Sequence, residues 1–361
     1  MSVKELHTIN FRNLASNKLS LHSDLNFLVG DNGSGKSSLL ESLFYLGHGK
    51  SFRTSKVDSL IQNGFDDFII SVKSNENTQL GIQRNKLGES KIKINGLASS
   101  KLSDLAKNIA VQIVTPESFK LFFGGPKERR KFVDLGLFHV EHSFSSEWKL
   151  FQRVYKQRNA CLRTKLGLEQ LDYWTDEFCR LSENIASLRK GYIESLKQEL
   201  HYWLKIMLPT YGKDISIQYL QGWNNKKELS DILQENKYKE LEKGFSLYGA
   251  QKFDIRFLID NASIEHRLSR GQQKLFLLAL TFAQSKLIEQ VKRIKPILLI
   301  DDIGAELDHS SRKAMFLAYQ QLNCQTIISA IDRVALEPLI PDDNNYNMFH
   351  VEHGQIKAMI E

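Results

Sequence analysis

The sequence predicts an α/β fold in which one head domain is split along the chain by an inserted α-helical domain. Strand-like segments separated by Asn, Gly and Ser fill the first 118 residues, and apolar strand-like segments return late in the chain. Charged, glycine-poor helical segments lie between these two parts. We therefore assign residues 1–118 and 245–361 to the head, a mixed sheet with flanking helices and an antiparallel β subdomain, and residues 119–244 to the insertion.

The first strand-to-helix junction carries a phosphate-loop motif. GDNGSGKSS fits the pattern G-x4-G-K-[ST], with the apolar run LNFLV before it and helical spacing after it. A Gly/Ser turn that matches by chance would lack these flanks. The residues expected to contact a nucleotide here are Gly30, Asp31, Asn32, Gly33, Ser34, Gly35, Lys36, Ser37 and Ser38.

The loop predicts binding of ATP with Mg²⁺. Its glycines let successive backbone N–H groups curl around a phosphate, and the helix N-terminus adds partial positive charge. Lys36 would contact the β- and γ-phosphates and take a catalytic role, and the Ser37 hydroxyl would bind Mg²⁺.

A second motif, which is acidic, completes the predicted nucleotide site. ILLIDDIGAELD, residues 297–308, has the pattern of a buried strand that ends in two carboxylates, and we expect it beside the phosphate loop. Asp301 would then hold Mg²⁺ through water, and Asp302 would polarise the attacking water as general base. The alternative is an apolar strand followed by an acidic turn.

Composition narrows the class of protein. Of the 361 residues, 42% are hydrophobic, which is enough for a sizeable core, and the net charge of +7 favours anionic partners such as nucleic acid. The 3 cysteines are far apart and suggest buried thiols in a reducing compartment. The charged start MSVKELH and the lack of a long apolar run predict a cytoplasmic protein without a membrane partner.

LSRGQQK, residues 268–274, predicts a helix that is capped by Ser269. Alone this is a capped core helix, but its place before the acidic strand resembles the signature motif of ABC-type ATPases. That resemblance implies that Ser269, Gly271 and Gln272 contact a nucleotide held by a second copy of the chain. It also implies a dimer interface that includes Ser269, Arg270, Gly271 and Asp308, with segment 305–308 crossing it.

Several motifs together resemble the RecF family of SMC-like ATPases. They are INFRNL (9–14), TPESFKLFFGGPKERRKFVD (115–134), part of YKQRNACL (155–162), LSRGQQK and LLIDDIGAELD. The resemblance implies a DNA-repair mediator that forms an ATP-dependent homodimer on DNA near single-strand gaps. It further implies slow ATP hydrolysis, RecR and RecO as partners, and assistance to RecA loading.

The chain departs from the family pattern in three places. SLYGAQKFD, residues 246–254, keeps Gly249 and Asp254 of a T-x-x-G-P-H-R-x-D-like segment but not the residues between them. Ala330 stands where the superfamily has its switch histidine, which leaves Ser329 as a candidate to sense the γ-phosphate. Asp302 is one methylene shorter than the glutamate of fast ABC ATPases. The last two features predict modest turnover.

Two basic features are candidates for anion contacts. By the resemblance, Arg12 would reach the nucleotide or DNA; the alternative is a solvated loop arginine. The cluster Lys127, Arg129, Arg130 and Lys131 begins a helix and would contact the DNA backbone or join the inserted domain to the head. A solvated helix face or intramolecular ion pairs are the alternatives for this cluster.

Two other functions share the phosphate loop. The ATPase subunit of an ABC transporter would need a much shorter distance between the phosphate loop and the signature motif, and the sequence S-G-G-Q. An SMC-like nuclease would need a further acidic metal cluster after residue 308, and the sequence has none.

Overall fold

A computed structural model describes residues 2–164, 168–211, 214–302 and 307–359. The chain divides into two compact units. The first unit contains residues 1–118, 206–209 and 269–361, and the second contains residues 119–205 and 210–268.

The first part of the chain alternates strands with short helices. In chain order the elements are β1 (Val3–Ile9), β2 (Asn17–Ser20), β3 (Leu25–Val29), α1 (Lys36–His48), β4 (Asp67–Ser74), β5 (Gln79–Asn85), β6 (Ser90–Ile94), β7 (Leu97–Ser99), α2 (Leu102–Asn108) and β8 (Val111–Val114).

Helices dominate the middle of the chain. The elements are α3 (Lys120–Phe123), α4 (Pro126–Val140), α5 (Phe144–Thr164), α6 (Leu168–Met207), β9 (Ile215–Leu220), α7 (Leu229–Glu235), α8 (Lys237–Lys243), β10 (Asp254–Ile259) and β11 (Ala262–Ser263). The last part contains α9 (Arg270–Lys292), β12 (Ile297–Ile300), α10 (His309–Tyr319), β13 (Gln325–Ala330), β14 (Asn347–Glu352) and β15 (Gln355–Ala358).

The first unit contains two sheets. The central sheet has the order β15-β14-β3-β13-β12-β8, parallel except for β15. Its strands β3, β12 and β13 are buried along their whole length, as expected for a parallel sheet covered on both faces. The second sheet is antiparallel, with the order β2-β1-β4-β5-β6-β7.

The antiparallel sheet has one buried and one open face. Alternation along β4 buries Phe68, Ile70 and Val72, while Ile69, Ser71 and Lys73 stay partly exposed. The buried side joins residues of α1, including Leu39 and Leu43, in one hydrophobic core. This core fixes the start of α1, and with it the phosphate loop.

The second unit differs from the predicted insertion in its boundary and its composition. Residues 245–268, which the sequence analysis assigned to the head, belong to this unit because β10 pairs with β9 along its full length. With β11 these strands form a three-stranded antiparallel sheet, so the insertion is not purely helical. The predicted boundary at residue 244 was wrong because short strand patterns carry no information about their pairing partner.

The long helix α6 carries the apolar stripe of the insertion. Phe178, Leu181 and Ile185 are buried on it, and the Phe178 ring stacks on Phe151 and Tyr155 of α5 with centroids 5.4 and 6.2 Å apart. These contacts pack α5 and α6 together as a helix pair. None of the helices in the described ranges combines the length and hydropathy that a bilayer span requires.

Candidate nucleotide-binding site

The phosphate loop joins β3 to α1 through a backbone that accepts only glycine at key positions. Gly30 has φ +157°, and a Cβ there would lie 2.1 Å from the Val351 carbonyl oxygen. Gly35 has φ +123° and precedes the first turn of α1. The loop is therefore shaped by close backbone approach, and α1 presents its N-terminal amides at the end of the loop.

Lys36 lies beneath the loop. Its ammonium group donates hydrogen bonds to the carbonyl oxygens of Gly30 and Asp31, at 2.5 and 2.9 Å. Burial lowers the pKa of Lys36, and the nearby carboxylates of Asp301, Asp302 and Asp31 oppose this shift. The side chain is thus held where its charge can stabilise phosphate oxygens.

Asp301 accepts two hydroxyl hydrogen bonds at the end of β12. Its Oδ1 accepts from Ser37 at 3.1 Å and from Ser329 at 2.7 Å. Strand β13 lies between β3 and β12, yet the acidic strand ends beside the phosphate loop, as expected. The side chains still meet because the carboxyl ends of neighbouring parallel strands open at one edge of the sheet.

Asp302 differs from Asp301 in its backbone and its partners. It has φ +54°, an uncommon conformation for a residue other than glycine. Its N–H donates to the Ser329 hydroxyl at 2.9 Å, and its carbonyl oxygen accepts from Lys274 at 3.1 Å. Its carboxylate atom Oδ1 is buried and has no hydrogen-bond partner among the described residues. An acceptor in this state suits a water or a metal-bound water.

The donor set fits Mg²⁺. A serine hydroxyl and a carboxylate lie within hydrogen-bond distance at Ser37 and Asp301, and both offer the hard oxygen ligands that Mg²⁺ prefers. No group of three or more acidic, His or Cys side chains in the described ranges forms a metal site by itself.

A cavity of about 810 Å³ opens over these groups. The expected site residues that line it are Arg12, Asn32, Gly33, Gly35, Lys36, Ser37, Ser38, Asp301 and Asp302. Gly30, Asp31 and Ser34 shape the loop instead, and the Asp31 carbonyl oxygen accepts from the Ser34 N–H at 3.2 Å. The structure thus brings the phosphate-loop and acidic-strand residues to one cavity.

Two supporting residues were missed by the sequence analysis. Asn13 donates to the Gly33 carbonyl oxygen at 3.1 Å and accepts from the Ser38 hydroxyl at 2.8 Å. The Gly354 N–H donates to the Ser34 carbonyl oxygen at 2.7 Å. Asn13 lies inside the quoted INFRNL motif, which was the available signal; Gly354, at a distant turn between two strands, had none.

Arg12 lines the cavity, but most N–H groups of its side chain donate to residues of the same unit. It makes a bidentate pair with the fully buried carboxylate of Glu41, at 2.8 and 2.7 Å, and donates to the Ser59 carbonyl oxygen at 2.7 Å. The hydroxyl of Ser51 also donates to Glu41. The structure therefore shows Arg12 as the counter-ion of a buried carboxylate at the edge of the cavity.

The signature segment begins α9 with a capping box. The Ser269 hydroxyl accepts from the Gln272 N–H at 3.3 Å, and the Gln272 side chain accepts from the Ser269 N–H at 2.9 Å. Ser269 and Arg270 are exposed, and Gly271 is partly exposed. The described residues that line the nucleotide cavity do not include 269–272. These residues are thus not brought to the nucleotide site of their own chain.

Asp308 is a helix cap. Its carboxylate accepts from the Ser311 N–H at 2.7 Å and the Ser310 hydroxyl at 2.9 Å. The Ser311 backbone hydrogen bond is the main cause that lowers the pKa of Asp308. The rest of the expected interface segment, residues 305–306, lies outside the described residues.

The basic cluster of α4 is largely engaged within its own unit. Arg129 pairs with Asp254 at 2.8 and 2.9 Å, and Arg130 donates to the Phe253 carbonyl oxygen at 3.0 Å. Lys131 pairs with Glu128 at 2.8 Å, and Lys127 is exposed. The two arginines thus tie α4 to β10 and to the residue before it, which agrees with the alternative of intramolecular contacts, and their use as DNA contacts stays a prediction.

Contacts within the second unit account for the kept Asp254 and for the departure at residue 250. Asp254 is the partner of Arg129, and the Ala250 carbonyl oxygen accepts from the buried Arg189 at 2.6 Å. Because Ala250 acts through its backbone, the side chain there can vary. The segment acts in the packing of the second unit.

Together, the fold and the site define an ATPase head of the ABC and SMC type. A sequence profile of the RecF/RecN/SMC N terminal domain matches residues 2–357. The chain is 57% identical to the DNA replication and repair protein RecF of Colwellia psychrerythraea, over 99% of this chain and 97% of the relative. It is 41% identical to the protein of the same description from Pseudoalteromonas translucida, over 99% of both chains. The chain belongs to the RecF family.

Solved structures agree with this fold. The structure described as the recombination mediator protein RecF-ATP in the RecFOR pathway superposes with a TM-score of 0.86 at 23% identity, covering 99% of this chain and 98% of the other. An SMC head bound to the C-winged helix domain of ScpA superposes with a TM-score of 0.59 at 17% identity, covering 99% and 97%. The predicted ABC/SMC-type head fold is thereby confirmed.

Proposed function

We propose that this RecF-family protein is an ATP-gated, DNA-binding repair mediator. Two copies close around ATP and Mg²⁺ on the backbone of duplex DNA near a single-strand gap, and slow hydrolysis opens them again. RecR and RecO act with it there, and the complex assists RecA loading.

The observation that carries the ATP-binding part is the cluster at one edge of the central sheet. Lys36 lies under the loop, Ser37 contacts Asp301, and Asp302 has a buried carboxylate oxygen without a partner among the described residues. These are the parts that phosphoryl transfer needs: a cation for the phosphates, ligands for Mg²⁺ and an acceptor for the attacking water. The similar structures described as RecF-ATP and RecF-ATPrS support the same ligand.

The position of Ser269 supports a shared site. It begins α9 at an exposed position, and residues 269–272 are not among the described residues that line the nucleotide cavity of their own chain. The capping box occupies the Ser269 hydroxyl as an acceptor, so its proton stays available to donate to a phosphate oxygen. A head-to-tail pair of chains would bring this helix end to the partner's γ-phosphate.

Slow turnover follows from the geometry around Asp302. The general base is an aspartate whose backbone is held by Ser329 and Lys274. Ser329 already contacts Asp301, and Ala330 supplies no group that could replace the switch histidine. A γ-phosphate bound here would lack a histidine donor at position 330, which suits a switch with slow hydrolysis.

The test is ATP hydrolysis by the full chain with and without gapped duplex DNA, together with light scattering of the same samples. We expect a low basal rate, a doubling of mass with ATP and Mg²⁺, and a higher rate with DNA. The Lys36→Met chain is the control and should show neither hydrolysis nor doubling. If the chain does not bind DNA and DNA does not change its basal rate of hydrolysis, the ATPase subunit of an ABC transporter would be the better-supported function.

A further inference from the structure

The open face of the antiparallel sheet is positively charged. Its exposed or partly exposed residues include Lys18 of β2, Lys73 of β4, and Lys91 and Lys93 of β6. These four lysines, with His7 of β1 and Gly81 of β5, line a shallow groove of about 700 Å³. We call this surface the lysine face.

The strand register places lysines on both sides of a centre that carries small side chains. Lys18 pairs with His7, His7 with Ser71, Ser71 with Gly81, and Gly81 with Lys93. This single cross-strand row covers four strand spacings, or about 19 Å. Small side chains occupy the middle, and lysines stand at both ends. The shape is a trough with cationic rims.

The backbone conformation at position 81 does not require a glycine. It does not have a positive φ, and a Cβ there would meet only the Ser71 Cβ at 3.6 Å and a carbonyl oxygen at 3.9 Å, which are ordinary contacts. A glycine inside a strand weakens the sheet, and it often marks a place where a ligand approaches the backbone closely. The backbone conformation therefore does not explain why the centre of the trough lacks a side chain at position 81, and a closely approaching ligand would explain it.

The acidic residues of the lysine face do not cancel its charge. Glu5 pairs with Lys18 at 3.0 Å, and Asp67 accepts a hydrogen bond from Gln83 at 2.5 Å. The hydrogen bond from Lys18, with the charges of Lys73 and Lys4 nearby, lowers the pKa of Glu5. The four lysines outnumber these two carboxylates, so the face keeps a net positive charge.

The chemistry of the lysine face selects a phosphate backbone over a protein. Lysine is depleted in protein–protein interfaces, whose buried centres are apolar and aromatic, whereas this centre holds Ser71, Gly81 and Gln83 beside the partly exposed Ile69. Flexible ammonium groups act as point charges that neutralise phosphates without reading base edges.

We propose that the lysine face is a docking surface for the sugar–phosphate backbone of duplex DNA. This inference rests on the proposed function, which requires DNA but does not say where it binds. It replaces the α4 arginines, which are engaged within their own unit, as the source of the backbone contacts.

The test compares the affinity of a random-sequence duplex for the full chain and for the variant Lys91→Gln/Lys93→Gln across a range of salt concentrations. Each lost phosphate contact should lower the slope of log K against log salt by about 0.9. The magnitude of this slope should therefore be smaller by about 2 for the double variant. The double variant should also bind duplex more than ten-fold more weakly than the unmodified chain at about 0.1 M salt. Gly81→Asp, which fits the backbone, should weaken binding in the same direction.

Matched controls separate charge from folding. Lys101→Gln/Lys313→Gln removes two exposed lysines elsewhere in the same unit and should bind as the unmodified chain does. Lys91→Arg/Lys93→Arg should restore the slope. All variants should keep DNA-free ATP turnover, since none lies in the nucleotide cavity.

Two results overturn the inference. If the unmodified chain binds duplex and the Lys91→Gln/Lys93→Gln chain binds it with equal affinity and slope, the lysine face is not the DNA surface, although the proposed function stands. The lysine face is likewise not the DNA surface if the variant keeps its affinity for duplex and loses only binding to polyglutamate. That result would assign the face to an acidic protein. If the unmodified chain does not bind duplex at all, the proposed function fails and the inference fails with it.

Discussion

Ser329 connects the two carboxylates at the end of β12. Its hydroxyl donates to the Asp301 carboxylate at 2.7 Å and accepts from the Asp302 backbone N–H at 2.9 Å. One hydroxyl group thereby fixes the metal-binding candidate and the turn that aims the general-base candidate. A displacement of β13 would move both residues together.

Asp302→Asn tests the general base. The amide keeps the size of the carboxylate but cannot take a proton, so hydrolysis should fall by about 10²- to 10⁴-fold while ATP stays bound. Single-turnover hydrolysis and retention of labelled ATP on a filter measure the two effects. Lys36→Met is the contrasting control, because it should lose ATP retention as well. Normal turnover in the Asp302→Asn chain would remove Asp302 from the mechanism.

Arg12→Ala tests whether Arg12 is a structural counter-ion. The change leaves the Glu41 carboxylate, which has 0% side-chain exposure, without its bidentate partner. An uncompensated buried charge typically destabilises by about 3–5 kcal/mol, and Ser51 and Arg53 nearby should hold the loss near the lower figure. Urea unfolding measures the loss in the free energy of unfolding.

Adding Glu41→Gln provides the control for this prediction. The neutral amide has no charge to leave unpaired, so the double variant should recover part of the lost stability. If Arg12→Ala unfolds within about 0.5 kcal/mol of the unmodified chain, the ion pair is not structural, and Arg12 is available for the nucleotide or DNA.

At the scale of elements, α9 links the signature segment to the acidic strand. Its N-terminus carries the Ser269 capping box, and Lys274, just over one turn further on, donates to the Asp302 carbonyl oxygen at 3.1 Å. A contact that a second chain makes at Ser269 is thus close to the backbone of the general-base candidate. Such a link would allow dimer formation to affect hydrolysis.

Ser269→Asp separates the cap from the proposed phosphate contact. Aspartate is as good an N-cap as serine, so α9 should keep its stability, but its charge would repel a partner's γ-phosphate. We expect unchanged thermal unfolding, unchanged ATP binding by the monomer and loss of ATP-induced mass doubling in light scattering. If this chain doubles its mass normally, α9 begins only with a stable cap.

Mixing variants tests the shared site directly. A pair made of one Ser269→Asp chain and one Lys36→Met chain would contain one intact composite site and one doubly damaged site. Hydrolysis in the mixture that neither variant shows alone would support a site built from two chains. Its absence, with both chains folded, would favour a site complete within one chain.

At the scale of the whole molecule, a shared site predicts that activity depends on protein concentration. If hydrolysis requires two chains, the rate per chain should rise with concentration and then level off when the dimer is saturated. A dilution series of steady-state rates measures this dependence, and the Ser269→Asp chain should show a flat, low rate throughout. A constant rate per chain over a hundred-fold dilution of the unmodified chain would contradict the shared site.

Local patterns in the sequence determined the family and the head fold. GDNGSGKSS, LSRGQQK and the strand that ends at Asp301 carry their chemistry within a few residues, and the apolar runs of β3, β12 and β13 mark strands buried on both faces. The fold prediction succeeded because each of these signals is local.

Only the tertiary structure decided how distant segments pair. It put β13 between β3 and β12, moved residues 245–268 to the second unit through the pairing of β10 with β9, and gave the α4 arginines internal partners. It also aligned lysines from three separate strands on one face of a sheet. Strand pairing and ion pairing depend on three-dimensional distance between residues far apart in the chain, and one sequence contains no measure of that distance.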